Sequence, residues 1–147
     1  VILSDRRISS PIVHEFDTAV VLNQQSMDKS EPQVKPGGIL IYDPNGITRH
    51  PERKDISIYR IGATAHAAKA GNPRVFNMVV LGALIQVSPD VTLENAYKGL
   101  AKPLPERVHK TLPANEAAIR TGMELVETAQ VVPGLATGEA PANAVIR

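Results

Sequence analysis

The chain has 147 residues, enough for one domain with a sizeable core, and 43% of them are apolar. Its formal net charge of +1 argues against a protein whose main task is to bind nucleic acid electrostatically, and two Phe and three Tyr cannot build a base-stacking platform. The absence of cysteine excludes disulfides, thiol nucleophiles, thiolate zinc sites and cysteine-ligated iron–sulfur clusters on this chain. Because the sequence shows no apolar run long enough to cross a bilayer and no signal-peptide pattern, we expect a cytoplasmic protein.

The first half of the chain is predicted to alternate strands with a helix. Residues 17–22 and 39–42 are short apolar runs typical of strands buried on both faces, and residues 23–31 between them are predicted to be helical. Pro36-Gly37-Gly38 predicts a turn before the second strand. Residues 56–61 alternate apolar and polar side chains, which predicts a third strand nearer an edge.

The second half is predicted to be helical. An alanine-rich helix is expected to end at Gly71, because glycine is favoured just beyond a helix end. Asn72 is then expected to cap a helix at residues 74–87. That helix is apolar nearly all round, so we expect it to be buried in the core, with adjacent apolar surface meeting another subunit or a second copy. Thr92 is expected to cap the next helix, and residues 114–127 form an amphipathic one.

Strands separated by helices indicate an α/β fold, with a doubly wound, mostly parallel sheet and helices on both faces. We assign residues 1–130 to this domain. Residues 131–147, where Pro, Gly, Ala and Thr dominate, are predicted to form a loose C-terminal tail. The sequence opens on apolar residues 1–3 without a starting Met, whereas a natural terminus is usually polar. We therefore expect a strand entered part-way and sequence missing upstream.

No motif in the sequence predicts a catalytic or metal-binding residue. None of the four histidines has a second histidine at helical metal-ligand spacing, which favours surface or capping roles. The chain contains no Gly-x-Ser-x-Gly elbow, no Walker loop, no Gly-x-Gly-x-x-Gly and no Gly-Asp-Gly thiamine signature.

The start of the helix predicted at residues 74–87 is the first candidate site. Asn72, Arg74 and Asn77 lie there, where free amide groups point outward and the helix carries partial positive charge. Arg74 opposes that dipole, so a bound phosphate or carboxylate would relieve the conflict. The alternative is that Asn72 simply caps the helix and Arg74 pairs with a local acid.

Two further candidates lie nearer the N-terminus. Ser9 and Ser10 offer hydroxyls beside a proline, and an ordinary turn is the alternative. Asn23 and Gln24 directly follow a strand, and open α/β sheets bind ligands beyond the carboxyl ends of their strands. Capping of the following helix is equally compatible with these two amides. We expect them to converge with the helix start at residues 72–77 in one groove at the carboxyl edge.

Four blocks of sequence carry a resemblance to a known family. They are residues 3–5 and 8–13 (Leu-Ser-Asp and Ile-Ser-Ser-Pro-Ile-Val), residues 21–29 (Val-Leu-Asn-Gln-Gln-Ser-Met-Asp-Lys), residues 34–42 (Val-Lys-Pro-Gly-Gly-Ile-Leu-Ile-Tyr) and residues 71–84 (Gly-Asn-Pro-Arg-Val-Phe-Asn-Met-Val-Val-Leu-Gly-Ala-Leu). Over residues 1 to about 127 the chain resembles the gamma subunit, or gamma-type domain, of 2-oxoacid:ferredoxin (acceptor) oxidoreductases.

The chain departs from the family pattern at two places. The family usually opens with a strand and a glycine-rich loop, Gly-x-Gly-Gly-Gln-Gly, which this sequence lacks. The first βα unit is therefore expected to be absent. Where the family often has Thr followed by Glu after the third strand, this chain has Thr64-Ala65-His66, so no role is carried over to that position.

The resemblance implies a division of labour between subunits. Related complexes oxidatively decarboxylate a 2-oxoacid with coenzyme A, using thiamine diphosphate and iron–sulfur clusters, and pass the electrons to ferredoxin or another acceptor. This chain would bind no cofactor alone. It would sit on the thiamine-binding and iron–sulfur subunits and share a coenzyme A site, and overall similarity favours 2-oxoglutarate as the oxoacid. The alternative is a non-catalytic α/β binding or scaffold module; neither interpretation involves nucleic acid or a membrane.

Overall fold

A three-stranded parallel sheet forms the centre of the fold. The computed structural model describes residues 7–8, 13–88, 91–101 and 111–127. The strands lie in the order β1-β2-β3 and span Phe16–Val21 (β1), Val34–Tyr42 (β2) and Ser57–Arg60 (β3). Helix α1 (Gln24–Ser30) and a 3-10 turn (Glu31–Gln33) connect β1 to β2. The three predicted strands, the helix between the first two and the edge position of β3 in the described sheet are confirmed.

The second strand is longer than predicted, and the turn predicted at Pro36-Gly37-Gly38 is wrong. These residues lie inside β2, where the pairing with β1 shifts register. Gly37 has a φ of +77°, a conformation that favours glycine. A Cβ on Gly38 would lie 2.9 Å from the Asp17 carbonyl oxygen, so the backbones approach too closely for a side chain. The glycines therefore form an irregularity within the strand, which pairing on either side accommodates.

Hydrophobic clusters lie against both faces of the sheet. On one face, Leu40 and Tyr42 pack with Met27 of α1 and with Ile56 of the β2–β3 connection. On the other face, Ile41 belongs to a cluster with three helices: α2 (Ala63–Lys69), α3 (Phe76–Val87) and α5 (Leu112–Glu127). Helices thus pack on both sides of a parallel sheet, which confirms the predicted α/β class.

Two of the predicted helix ends are confirmed and one is wrong. Gly71, with a φ of +71°, follows α2 as predicted, and Thr92 caps α4 (Leu93–Ala101) by accepting a hydrogen bond from Asn95 N at 3.2 Å. The side chain of Asn72 does not cap α3. A 3-10 turn (Pro73–Val75) follows Asn72 instead, and α3 begins only at Phe76. The tail predicted at residues 131–147 lies outside the described residues.

Helices α3 and α5 pack with their backbones almost in contact. A Cβ on Gly82 of α3 would lie 1.9 Å from the Ile119 carbonyl oxygen, and a Cβ on Gly122 of α5 would lie 1.9 Å from the Val79 carbonyl oxygen. Five of the twelve residues of α3 are buried, so the predicted packing of this helix in the core is confirmed for one side of it: Val79, Val80, Gly82, Ala83 and Ile85. Its contact with another subunit stays a prediction. None of the described helices is long and apolar enough to cross a membrane.

Candidate functional site

Asn23 lies at the carboxyl end of β1 and caps α1. Its backbone is extended, and its Oδ1 accepts a hydrogen bond from Ser26 N at 2.8 Å. This contact satisfies one of the free amide groups that every helix start presents. The capping alternative raised from the sequence therefore holds for Asn23.

Gln24 holds the connection between β2 and β3 against α1. Its Oε1 accepts hydrogen bonds from Thr48 N at 2.8 Å, Thr48 Oγ1 at 3.0 Å and Arg49 N at 3.1 Å. Its Nε2 donates to Asp28 Oδ1 at 2.8 Å. The amide oxygen of Gln24 is thus occupied by the chain itself, a role that sequence reasoning missed because the partners lie 24 and 25 residues away.

Glu31 is a buried acid at the centre of the same polar network. Its side chain accepts hydrogen bonds from Glu52 N at 2.5 Å and Arg53 N at 2.9 Å, and pairs with Arg49 Nη1 at 2.7 Å. The residue is only 3% exposed. Burial works against ionisation of Glu31, but the hydrogen bonds from Arg53, Arg49 and Glu52 outweigh it and hold the pKa below its usual value. No local pattern marks this role, since Glu31 resembles any acid at a helix end.

Arg53 stabilises the part of the β2–β3 connection that lies nearest β3. It forms a two-pronged ion pair with Asp55, with Nη2 and Oδ2 2.7 Å apart, and its Nη1 donates to the Val34 carbonyl oxygen at 3.0 Å. The connection has no α-helix of its own, so side-chain hydrogen bonds to α1 and β2 supply its order.

Asp43 joins the carboxyl end of β2 to the start of α2. It is 1% exposed, and its two carboxylate oxygens accept hydrogen bonds from Asn45 N at 2.8 Å and Thr64 N at 2.7 Å. Asp43, Asn45 and Thr64 line a cleft of about 360 Å³ at this edge of the sheet. Sequence reasoning missed this residue, although an acid directly after a buried strand is a recognisable signal.

The later candidate residues lie elsewhere. Asn72 lines a groove of about 400 Å³ between α2 and α5, and Arg74 and Asn77 are exposed at the 3-10 turn and first turn of α3. Among the described residues, no acid forms an ion pair with Arg74. Neither Asn23 nor Gln24 lines this groove, so the structure does not bring the two predicted groups together in one cavity.

The remaining sequence candidates, Ser9 and Ser10, lie outside the described residues. Within the described part of the chain, no group of three or more His, Asp or Glu side chains is arranged to hold a metal ion.

Known proteins resemble this chain in both sequence and fold. A 2-oxoglutarate synthase subunit KorC from Methanothermobacter marburgensis is 32% identical over 136 residues, which cover 88% of this chain and 72% of that protein. The gamma subunit of a keto/oxoacid ferredoxin oxidoreductase from Geobacter sulfurreducens superposes with a TM-score of 0.67 at 25% identity, covering 77% of this chain and 65% of that one. This chain therefore spans a little less than two thirds of the Geobacter subunit.

A larger enzyme contains the same fold. The 2-oxoglutarate:ferredoxin oxidoreductase from Magnetococcus marinus, solved with 2-oxoglutarate, coenzyme A and succinyl-CoA bound, superposes with a TM-score of 0.68 at 22% identity, covering 83% of this chain and 22% of that one. The model of the pyruvate ferredoxin/flavodoxin oxidoreductase family matches residues 1–125. The chain belongs to the pyruvate ferredoxin/flavodoxin oxidoreductase family.

Proposed function

We propose that this chain is a gamma-type subunit of a complex that oxidatively decarboxylates 2-oxoglutarate with coenzyme A. The products would be succinyl-CoA, carbon dioxide and two electrons passed to ferredoxin or another acceptor. The observation that carries the proposal is the similarity to a 2-oxoglutarate synthase subunit across 88% of the chain. The match of fold to a gamma subunit of a keto/oxoacid ferredoxin oxidoreductase supports the same role.

The residues of this chain indicate that its partners carry the redox cofactors. It has no cysteine to ligate an iron–sulfur cluster and no Gly-Asp-Gly thiamine signature. Thiamine diphosphate supplies the decarboxylation chemistry, and clusters supply electron transfer, when they are bound by partner subunits. What this chain contributes is a folded surface, with polar side chains suited to binding and orienting a substrate.

The coenzyme A contact that we propose lies at the turn before α3. Arg74 is exposed in this turn, Asn77 is exposed in the first turn of α3, and the groove residue Asn72 lies directly before the 3-10 turn. A guanidinium pairs well with a phosphate, and amides suit the amide groups of coenzyme A. Ser9, Ser10, Asn23 and Gln24 complete the set proposed from the sequence, although Gln24 already holds the β2–β3 connection.

Reconstitution tests the proposed function. The chain should co-purify with thiamine-binding and iron–sulfur subunits of such a complex. The assembled complex should then reduce ferredoxin in the presence of 2-oxoglutarate and coenzyme A, and less well with pyruvate, a branched-chain oxoacid or indolepyruvate. The isolated chain should neither bind thiamine diphosphate nor turn over any 2-oxoacid. Failure to associate would favour a scaffold module outside such a complex, and turnover by the single chain would contradict the subunit role.

Substitution of Arg74 tests the proposed coenzyme A contact. In the assembled complex, Arg74→Ala should raise the Michaelis constant for coenzyme A about 10- to 150-fold, the equivalent of a lost hydrogen bond to a charged group. The constant for 2-oxoglutarate should stay nearly unchanged. Lys54→Ala, which removes another exposed cation, is the matched control and should alter neither constant. An unchanged coenzyme A constant together with weaker assembly would assign Arg74 to the subunit interface instead.

A further inference from the structure

The groove between α2 and α5 has an apolar floor. Buried Ala67 of α2, Val75 of the 3-10 turn, Val79 of α3 and Ala118 of α5 form that floor, each between 1% and 6% exposed. All four belong to the hydrophobic cluster on the helical face of the sheet. The floor is therefore the almost fully buried outer side of the core, beneath a groove of about 400 Å³.

Much of the groove wall is too short to close over a small molecule. It includes the exposed residues Ala70, Ala114 and Ala117, whose methyl groups cannot fold over a ligand. Small-molecule sites commonly bury about 70–90% of their ligand. Alanine walls instead let another backbone approach closely, so the shape suits a segment of protein that brings its own neighbouring residues.

The charge on the rim is one-sided. Lys69 and His66, in the last turn of α2, line the groove, and Asn72 and Thr121 add an amide and a hydroxyl. Among the described residues that line it there is no Asp or Glu, and no described acid forms an ion pair with Lys69. Complementarity then requires a carboxylate from the occupant.

We propose that this groove binds an acidic segment of a partner subunit, with an aliphatic side chain on the floor and a carboxylate beside Lys69. The proposal rests on the proposed function, because it identifies by its chemistry the partner surface that this subunit meets. It assigns to α2 and α5 a contact beside the proposed coenzyme A site: Arg74 and Asn77 do not line the groove, whereas Asn72 lies at the border of the two.

Two substitutions change the groove without touching its buried floor. Ala117→Leu fills the groove from α5, and Lys69→Glu reverses the charge on its rim. Their matched controls are Ala65→Leu, at an exposed position of α2 outside this groove, and Lys54→Glu in the β2–β3 connection. The measurement is the dissociation constant between this chain and the purified partner subunits, at two salt concentrations, together with the melting temperature of each variant.

Each groove variant should raise the dissociation constant at least about tenfold at an unchanged melting temperature, whereas the controls should stay within about threefold of the wild-type constant. Lys69→Glu should also reduce the salt dependence of binding. If the wild type assembles and the groove variants assemble equally well, the groove assignment is wrong while the subunit role stands. If the wild-type chain forms a homodimer that the groove variants abolish, a second copy occupies the groove and the proposal is overturned. If the wild type binds no partner subunit, both proposals fail together. Should Ala117→Leu lower the melting temperature, the exposed Lys69→Glu variant decides alone.

Discussion

The close packing of α3 on α5 predicts an unusually costly glycine substitution. In Gly82→Ala the new methyl carbon would lie 1.9 Å from the Ile119 carbonyl oxygen, whereas ordinary contact begins near 3.4 Å. The obstacle is backbone, which no rotamer change removes, so the helices must separate by about 1.5 Å along that line. A gap of this size forfeits much of the dispersion energy across the interface, and we expect a loss of about 3 kcal/mol, the upper end of overpacking costs.

Thermal unfolding followed by circular dichroism measures this cost. A loss of about 3 kcal/mol should lower the melting temperature of a chain this size by roughly 10 °C. Gly99→Ala is the matched control, because Gly99 lies in α4 and a Cβ added there would meet no atom within 4 Å, so the alanine should stabilise by up to about 1 kcal/mol.

A second substitution checks the mechanism. Gly122→Ala should cost about as much as Gly82→Ala, because its Cβ meets the Val79 carbonyl oxygen at the same distance. The double variant should lose less than the sum, since the first methyl group already separates the helices. A Gly82→Ala protein that melts within about 2 °C of the wild type, or strict additivity of the two losses, would refute the reasoning.

Further predictions concern three polar residues. Glu31→Gln should destabilise by about 2–3 kcal/mol, because an amide cannot serve both Arg49 and the two backbone donors, and urea unfolding at neutral pH measures the loss. Since the pKa of Glu31 is lower in the folded state, its contribution to the free energy of unfolding is complete above its unfolded pKa and is lost as the pH falls through the folded pKa. If the free energy of unfolding of the wild type fell no more steeply towards acid pH than that of Glu31→Gln, the result would count against this role. Asn23→Ala should cost about 1 kcal/mol and Asn23→Asp almost nothing, and equal losses for the two would exclude the cap. Burial raises the pKa of Tyr42, whose hydroxyl has no hydrogen-bond partner among the described residues, so Tyr42→Phe should raise the melting temperature; a drop would reveal a hidden partner.

The fold follows from local patterns wherever those patterns extend over several residues. The apolar runs of β1 and β2, the alternation of β3 and the small residues of α2 each indicated the right element, because burial of one face or both imposes a period on the sequence. Pro36-Gly37-Gly38 misled, since strand pairing beyond those residues overrides their turn preference. Asn72 misled for a similar reason, because Pro73 begins a 3-10 turn before the α-helix forms.

The candidate site was less accessible to sequence reasoning, because its contacts join distant positions. The capping alternative for Asn23 is confirmed and was visible in the sequence, since its partner Ser26 lies within the same helical turn, whereas its ligand role stays a prediction. The roles of Gln24 and Glu31 depend on Arg49 and its neighbours, 18 to 25 residues downstream, and no local pattern marks such pairs. A single sequence shows that residues 48–55 are charged, but only the folded chain shows that Arg49 and Arg53 bond to the segment around Glu31.

The two faces of the sheet place different demands on a chain that is being synthesised from its N-terminus. The β2–β3 connection finds its anchors, Gln24 and Glu31, already synthesised when it emerges. Helix α3 is synthesised before its packing partner. Gly82 packs against α5, whose contacting residues lie about 40 residues later in the sequence, near Gly122. At synthesis rates of about 5–20 residues per second, the apolar surface of α3 stays uncovered for roughly 2–8 s before α5 is synthesised. During that interval the side of α3 that α5 later covers is open to chaperones or to misassociation, and completion of α5 ends the exposure.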